Sequence, residues 1–116
     1  MLTAIIGITV ATTTHARSSE ALVKREFAGQ PVLISIAKCE SGMRQFDEFG
    51  RVLKNPRSSA TGVMQIMASV HRRQALRLGY DINTLTGNLG YAKKLYQREG
   101  TRPWNASRSC WGKRHS

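Results

Sequence analysis

Residues 31–42 read PVLISIAKCESG, and this stretch decides how the rest of the chain is interpreted. Pro31 suits the first turn of a helix, where an N–H has no helical partner, and Gly42 suits the position just past a helix end. Between them, positions i, i+3, i+4 and i+7 share one helical face. These positions are Leu33, Ile36, Ala37 and Glu40. The sequence thus predicts a helix over residues 31–40 with a carboxylate on its apolar face.

Glu40 combines two conditions that keep a carboxyl group protonated near neutral pH. Burial on an apolar face disfavours the anion and raises the pKa. The carbonyl dipoles at the C-terminal end of a helix also disfavour a negative charge. A carboxyl group held in this state can donate a proton to a glycosidic oxygen. We therefore predict that Glu40 is a general acid; the alternative is a structural charge paired with one of the many Arg or Lys residues.

The rest of the chain is expected to form a single, mainly α domain over residues 17–116, with one short β-hairpin possible. A short helical pattern over residues 19–27 ends at Gly29. The hairpin is placed at residues 44–54, where two short extended runs flank a Glu-Phe-Gly tip. This pattern of elements predicts a small helical unit with little sheet.

Capping residues place the remaining helices. Ser69 is predicted to cap a helix that runs to Leu78, and Thr86 to cap one that runs to Glu99. Residues 103–111 are expected to form a last short helix or turn. The predicted elements therefore follow one another without a linker or an internal repeat.

The charge balance is strongly basic, with 18 Lys and Arg against 7 Asp and Glu, a net charge of +11. A polyanionic partner is therefore expected. Nucleic acid, an anionic membrane surface and anionic bacterial cell-wall polymer all satisfy this condition, so charge alone does not choose among them.

The first sixteen residues, MLTAIIGITVATTTHA, place an apolar stretch before small polar residues. This pattern resembles a signal peptide cut after Ala16; the alternative is a buried first strand or helix. The apolar run is shorter than the roughly 20 residues that a membrane-spanning helix needs, so no transmembrane span is expected. The mature protein is accordingly predicted to be exported, to the periplasm or the extracellular space.

The two cysteines, Cys39 and Cys110, lie at opposite ends of the predicted domain. In an exported protein they are expected to pair, whereas a cytosolic protein would keep two buried thiols. The disulfide would stabilise the fold by roughly 4 kcal/mol on chain-entropy grounds. The histidines, His15, His71 and His115, have no metal-ligand spacing, so neither a metal nor another cofactor is expected.

Three segments together resemble the lytic transglycosylase family of lysozyme-like domains. They are Cys39-Glu40-Ser41-Gly42, then Gly62-Val63-Met64-Gln65-Ile66-Met67 about twenty residues later, and a looser match at Asn88-Leu89-Gly90-Tyr91-Ala92. With the helices that carry them, they span roughly residues 31–100. Each segment alone is a weak signal, but all three in this order are fairly specific.

The resemblance implies a peptidoglycan lytic transglycosylase that acts on glycan strands with one catalytic carboxyl group, that of Glu40. In the implied mechanism, Glu40 protonates the bond between N-acetylmuramic acid and N-acetylglucosamine, and the muramic acetamide assists. Glu40 then acts as base on the C6 hydroxyl of the sugar, which leaves a 1,6-anhydro end.

The resemblance and the residue types also suggest a set of substrate-binding residues. They are Ser41, Met64, Gln65, Met67, Tyr91 and Trp104. Of the two methionines, one is expected to belong to the core. The chain departs from the family in lacking its Ala-Tyr-Asn-Ala-Gly segment; Trp104-Asn105-Ala106-Ser107 occupies that place, so Trp104 is the candidate replacement for the tyrosine.

Two other functions are left open by the sequence. Retaining and inverting hydrolases need a second carboxylate, for which Asp47 and Glu48 are the nearby candidates, although both are expected to be solvated hairpin acids. A basic module that binds nucleic acid or cell wall without catalysis is the other alternative. No nucleic-acid motif is recognisable, and the signal peptide argues against a nucleic-acid partner.

Overall fold

The computed structural model describes residues 19–114, so the predicted signal peptide lies outside the described residues. The domain is mainly α with one small antiparallel hairpin, which confirms the predicted fold class. Its helices are α1 (residues 19–26), α2 (Pro31–Ser41), α3 (Ala68–Arg77), α4 (Leu85–Glu99) and α5 (Arg108–Trp111). Its strands are β1 (Ala60–Thr61) and β2 (Ile66–Met67), and 3-10 helices span Arg102–Ser107 and Gly112–Arg114. Within residues 19–114, no helix combines the length and apolar character needed to cross a membrane.

Helix α2 begins and ends where the sequence predicts. Pro31 lies in its first turn, and Gly42 ends it in the left-handed conformation, with φ 65° and ψ 32°. The Gly42 N–H donates to the carbonyl of Lys38 at 2.9 Å, which satisfies one of the acceptors left over at the helix end. Glu40 consequently lies in the last turn of the helix.

The core is formed by the apolar faces of the helices and by the β1–β2 turn. Its fully buried members include Val23 and Phe27 near α1, Leu33 and Ile36 of α2, Val63 and Met64 of the turn, and Leu89 and Leu95 of α4. The C-terminal segment, residues 102–111, packs against α2 and α4 and adds two buried tryptophans. The last part of the chain therefore closes the core beside the end of α2.

The hairpin forms at a different place from the one predicted. Residues 44–54 pair with one another through a single antiparallel bridge, between Phe46 and Val52, and Lys54 forms a second bridge to Thr61 of β1. The carboxylate of Asp47 accepts the N–H groups of Phe49 and Arg51, which curls this segment into a tight turn instead of two strands. The two-stranded sheet is instead β1–β2, with Ala60 opposite Met67 and Thr61 opposite Ile66.

Both predicted helix caps lie two residues too far along the chain, because the flanking turns decide the helix starts. Helix α3 begins at Ala68, and Ser69 lies inside its first turn, where the Ser59 hydroxyl accepts the Ser69 N–H. Helix α4 begins at Leu85, because the Thr84 hydroxyl accepts the Gly87 N–H at 3.0 Å. Thr86 is therefore a helical residue rather than a cap.

The cysteines are paired, as the export hypothesis predicts. The disulfide joins Cys39 in the last turn of α2 to Cys110 in α5, with the two Cα atoms 6.0 Å apart. It connects positions separated by 71 residues. The C-terminal segment is thereby tied to the residue next to Glu40.

Candidate active site

Glu40 lies in the last turn of α2 and is half-buried. Burial raises the pKa of its carboxyl group above the ordinary value, as the sequence predicts, while a hydrogen bond from Ser107 lowers it to a smaller extent. The Ser107 hydroxyl lies 2.5 Å from Glu40 Oε2. Burial therefore favours the protonated form of Glu40, and the Ser107 hydroxyl contacts its carboxyl group as a neutral donor.

Cations are absent from the contacts of Glu40 in the described part of the chain. The four ion pairs there join Lys24 to Glu20, Arg51 to Asp47, Lys93 to Glu26, and Arg98 to Glu99. The interpretation of Glu40 as half of a structural salt bridge thus has no support within residues 19–114.

Ser107 is a site residue that the sequence prediction missed. It closes the 3-10 helix Arg102–Ser107 and reaches Glu40 across a separation of 67 residues. A signal was present, because Cys39 precedes Glu40 directly and Cys110 follows Ser107 by three positions. Pairing those cysteines necessarily brings the Ser107 region close to Glu40.

Two buried amides, those of Gln45 and Asn88, shape the β1–β2 turn, and the sequence predicts no role for either beyond the place of Asn88 in the segment 88–92. Gln45 accepts the Val63 N–H at 2.8 Å, and Asn88 accepts the Met64 N–H at 2.9 Å. Both amides also donate to the Ile82 carbonyl. Because an unpaired buried amide is costly, this fully satisfied network favours one conformation of the turn. Within residues 19–114, every buried polar side-chain atom has a hydrogen-bond partner.

Trp104 connects this turn to the carboxyl site. Its indole N–H donates to the Met64 carbonyl at 2.9 Å, and its own carbonyl lies 3.2 Å from the Ser107 hydroxyl. A continuous set of contacts therefore runs from Met64 through Trp104 and Ser107 to Glu40. The two segments predicted to form the site are thus brought together by residues 104–107.

The predicted direct contacts of Met64, Tyr91 and Trp104 with a sugar require correction. Met64 and Tyr91 are fully buried, and Trp104 is 2% exposed, so their side chains pack inside the core. The Tyr91 hydroxyl is hydrogen-bonded to His71 Nδ1 at 2.9 Å. These residues are part of the core, because a resemblance in motif identifies residue types but not which of them the packing covers.

Ser41 is also buried, and its hydroxyl is hydrogen-bonded at the end of α2. It donates to the Ala37 carbonyl and accepts the Arg44 N–H, both at 3.1 Å. Ser41 therefore stabilises the helix end that carries Glu40, and its only hydroxyl hydrogen is already donated within the helix.

Gln65 and Met67 are the predicted binding residues whose side chains remain accessible. Gln65 is half-buried with φ 51°, and its amide donates to the Gly62 carbonyl at 2.9 Å. Met67 is exposed at the end of β2, whereas Met64 belongs to the core. The expectation that one of the two methionines is a core residue is thus confirmed.

Asp47 stabilises the turn in which it lies. Its Oδ1 accepts the N–H groups of Phe49 at 2.8 Å and Arg51 at 3.0 Å, and its Oδ2 lies 3.5 Å from the Arg51 guanidinium. The backbone N–H of Arg51 is the main cause that lowers the pKa of Asp47. Asp47 is therefore an ionised turn residue, and Glu48 beside it is exposed.

A pocket of about 420 Å³ opens along α4 and is lined there by Gly90, Lys93 and Lys94. None of the predicted site residues lines it, so the chemistry argued from Glu40 does not depend on it. No group of three His, Cys, Asp or Glu side chains within residues 19–114 is arranged to hold a metal ion.

Comparison with known proteins identifies no relative: no protein-family model, curated protein or solved structure matches the chain.

Gly62 is expected to be essential for the shape of the turn. Its φ is 75°, and a Cβ there would lie 2.4 Å from Asn88 Nδ2 and 2.6 Å from Gln45 Oε1. Gly62→Ala is expected to lower the free energy of unfolding by about 3 kcal/mol, from the left-handed backbone and from overpacking. Urea unfolding measures this loss.

Gly50→Ala is the matched control for this prediction. Gly50 also has a left-handed backbone, with φ 80°, but nothing lies within 4 Å of its Cβ position. Gly50→Ala should therefore lose only the conformational part, roughly 1–2 kcal/mol. Equal losses for the two variants would show that the amide network does not resist the added methyl group.

Proposed function

We propose that this protein is a peptidoglycan lytic transglycosylase in which Glu40 is the single catalytic acid and base. The observation that carries the proposal is the environment of this carboxyl group. Glu40 is half-buried, has a raised pKa and is hydrogen-bonded by a neutral hydroxyl. This combination suits a carboxyl group that gives up a proton and later takes one back.

The acid step follows from the raised pKa. Protonated Glu40 donates its proton to the glycosidic oxygen between N-acetylmuramic acid and N-acetylglucosamine as the C1–O bond breaks. The acetamide oxygen of the muramic residue stabilises the C1 carbon from within the substrate. Glu40 is then an anion that the Ser107 hydroxyl contacts.

The base step regenerates the acid. Ionised Glu40 accepts the proton of the muramic C6 hydroxyl as O6 bonds to C1 and the acetamide leaves. The product carries a 1,6-anhydro end, and no water is consumed. One carboxyl group is sufficient for the two proton transfers.

The other acidic residues support a mechanism with one carboxyl group. Four of the remaining six are exposed: Glu20, Glu26, Glu48 and Asp81. The other two, Asp47 and Glu99, form ion pairs with Arg51 and Arg98. A hydrolase would need a second carboxylate placed to act on the sugar from the opposite side.

Charge and redox chemistry support a cell-wall location. The net charge of +11 suits peptidoglycan and its anionic polymers, and the Cys39–Cys110 disulfide suits an oxidising compartment. We accordingly propose that the protein acts after export, in the periplasm or outside the cell.

The test is mass spectrometry of the soluble products formed when the purified chain is incubated with peptidoglycan. We expect muropeptides with 1,6-anhydromuramic ends, which are lighter by one water than hydrolysis products and resist reduction by borohydride. Products with reducible ends would instead indicate a hydrolase. If the chain binds the wall but releases no product, the non-catalytic binding module becomes the better interpretation.

A further inference from the structure

The Ser107 hydroxyl lies among three polar atoms with different hydrogen-bonding capacities. Glu40 Oε2 is 2.5 Å away, Trp111 Nε1 is 3.0 Å away, and the Trp104 carbonyl oxygen is 3.2 Å away. An indole N–H only donates, and a carbonyl oxygen only accepts. Ser107 Oγ therefore accepts from Trp111 and has one hydrogen to donate, either to Glu40 or to the carbonyl of Trp104.

Because of this choice, the hydroxyl can serve both protonation states of the carboxyl group. When Glu40 is ionised, Ser107 donates to Oε2 while it accepts from Trp111. When Glu40 is protonated, its O–H donates to Ser107 Oγ, and the Ser107 hydrogen turns to the Trp104 carbonyl. The Trp111 N–H also lies 3.3 Å from the Trp104 carbonyl, so this carbonyl keeps a donor when the Ser107 hydrogen points to Glu40. Both states therefore leave these groups with partners, and no heavy atom has to move.

We propose that Ser107 is a positioning residue, an inference that rests on the proposed function. Its hydroxyl stays hydrogen-bonded to Glu40 as acid and as base, because the direction of their hydrogen bond reverses. The Trp111 N–H holds the hydroxyl oxygen in place. The surroundings of Ser107 are built to keep it there. Trp104 is 2% exposed and Trp111 is 4% exposed, and the disulfide of Cys110 ties this segment to α2. The hydroxyl can therefore rotate about its C–O bond, whereas its oxygen remains in position.

Charged side chains near Ser107 do not account for the pKa of Glu40. The segment packed against α2 carries Arg102 and Arg108, Lys113 follows it in the chain, and α2 itself carries Lys38. None of these cations is among the causes that shift the pKa of Glu40; those causes are burial and Ser107. Loss of the hydroxyl is therefore expected to act directly on the carboxyl group.

The test is a carbon-13 NMR titration of the Glu40 carboxyl group, assigned by its absence in Glu40→Gln. Ser107→Ala should raise the pKa of Glu40 further, because it removes the donor to the charged form. Ser107→Thr keeps a hydroxyl and should restore the wild-type titration. Ser109→Ala, which changes an exposed serine two positions away, is the matched control and should leave the titration unchanged.

Activity is the second measurement. Ser107→Ala should slow product release from peptidoglycan about tenfold, the scale of one hydrogen bond to a charged group, and move the loss of activity on the alkaline side to higher pH. Trp111→Phe keeps the ring but removes the N–H, so it should shift the Glu40 titration in the same direction by a smaller amount. This variant also tests the inference if Ser107→Ala does not fold.

An unchanged Glu40 titration in folded Ser107→Ala or Trp111→Phe would overturn the inference. The titration needs no substrate, so it is read separately from the proposed function. A shifted titration without anhydro products would leave the hydrogen-bond arrangement standing and remove the transglycosylase. Anhydro products with an unchanged titration would support the transglycosylase and overturn the hydrogen-bond arrangement.

Discussion

Glu40→Gln is expected to reduce the release of soluble glycan from peptidoglycan by about a thousandfold, the scale of general acid–base catalysis. Glutamine has nearly the same shape and can still hydrogen-bond to Ser107, but it has no acidic proton to transfer. Glu48→Gln is the matched control, because Glu48 is an exposed acid nearby in the sequence and should be dispensable. Mass spectrometry of the released muropeptides measures both variants.

The same substitution is not expected to unfold the protein. The folded-state pKa of Glu40 is raised by burial, so between the unfolded and folded pKa values the folded chain binds more protons. The free energy of unfolding therefore falls as pH rises through that window. Because glutamine never ionises, the Tm of Glu40→Gln at pH 7 should equal or exceed that of the wild type.

Two outcomes of the Glu40→Gln experiment bear on the assignment of Glu40 as the catalytic acid. If Glu40→Gln retained wild-type product release, another group would have to supply the proton. If it lost activity together with a large fall in Tm, the loss would report unfolding rather than chemistry. Measuring activity and Tm on the same preparation separates these cases.

Removal of the disulfide is expected to have the largest effect on stability. Cys39→Ser/Cys110→Ser should lower the free energy of unfolding by about 4 kcal/mol, because the bond closes a loop of roughly 70 residues in the unfolded chain. A small domain has little stability to spare, so the variant should be partly unfolded at 37 °C. Urea unfolding followed by circular dichroism measures the loss.

The reduced wild-type chain is the control for this variant. Under a strong reductant, its unfolding midpoint should match that of Cys39→Ser/Cys110→Ser, and the reductant should not affect the variant itself. A loss below about 1 kcal/mol would show that packing of residues 102–111 holds the segment without the covalent bond.

Local sequence signals determined the helical architecture and the candidate acid. Pro31 and Gly42 mark the ends of α2, and the i, i+3, i+4, i+7 spacing places Glu40 on its apolar face. Two cysteines in a chain predicted to be exported gave the expectation of a disulfide, which the structure contains. These features were predictable because helix ends, periodicity and cysteine pairing depend on neighbouring residues or on simple counting.

The exact helix starts and the position of the hairpin were not predictable in the same way. Thr84 and Thr86 are both suitable caps, and only the packing of the preceding turn selects Thr84. Residues 44–54 have the composition of a hairpin, but the Asp47 carboxylate draws them into a turn. In each case, several local choices are close in energy, and a side-chain hydrogen bond to the backbone decides among them.

Only the tertiary structure decided which residues surround Glu40 and which remain accessible. Ser107 reaches the carboxyl group from 67 positions away, whereas Met64 and Tyr91 are covered by the core. Long-range contacts of this kind depend on how the C-terminal segment packs over α2 and the β1–β2 turn. A sequence pattern specifies which face of a helix is apolar, but what covers that face follows from the packing of the whole chain.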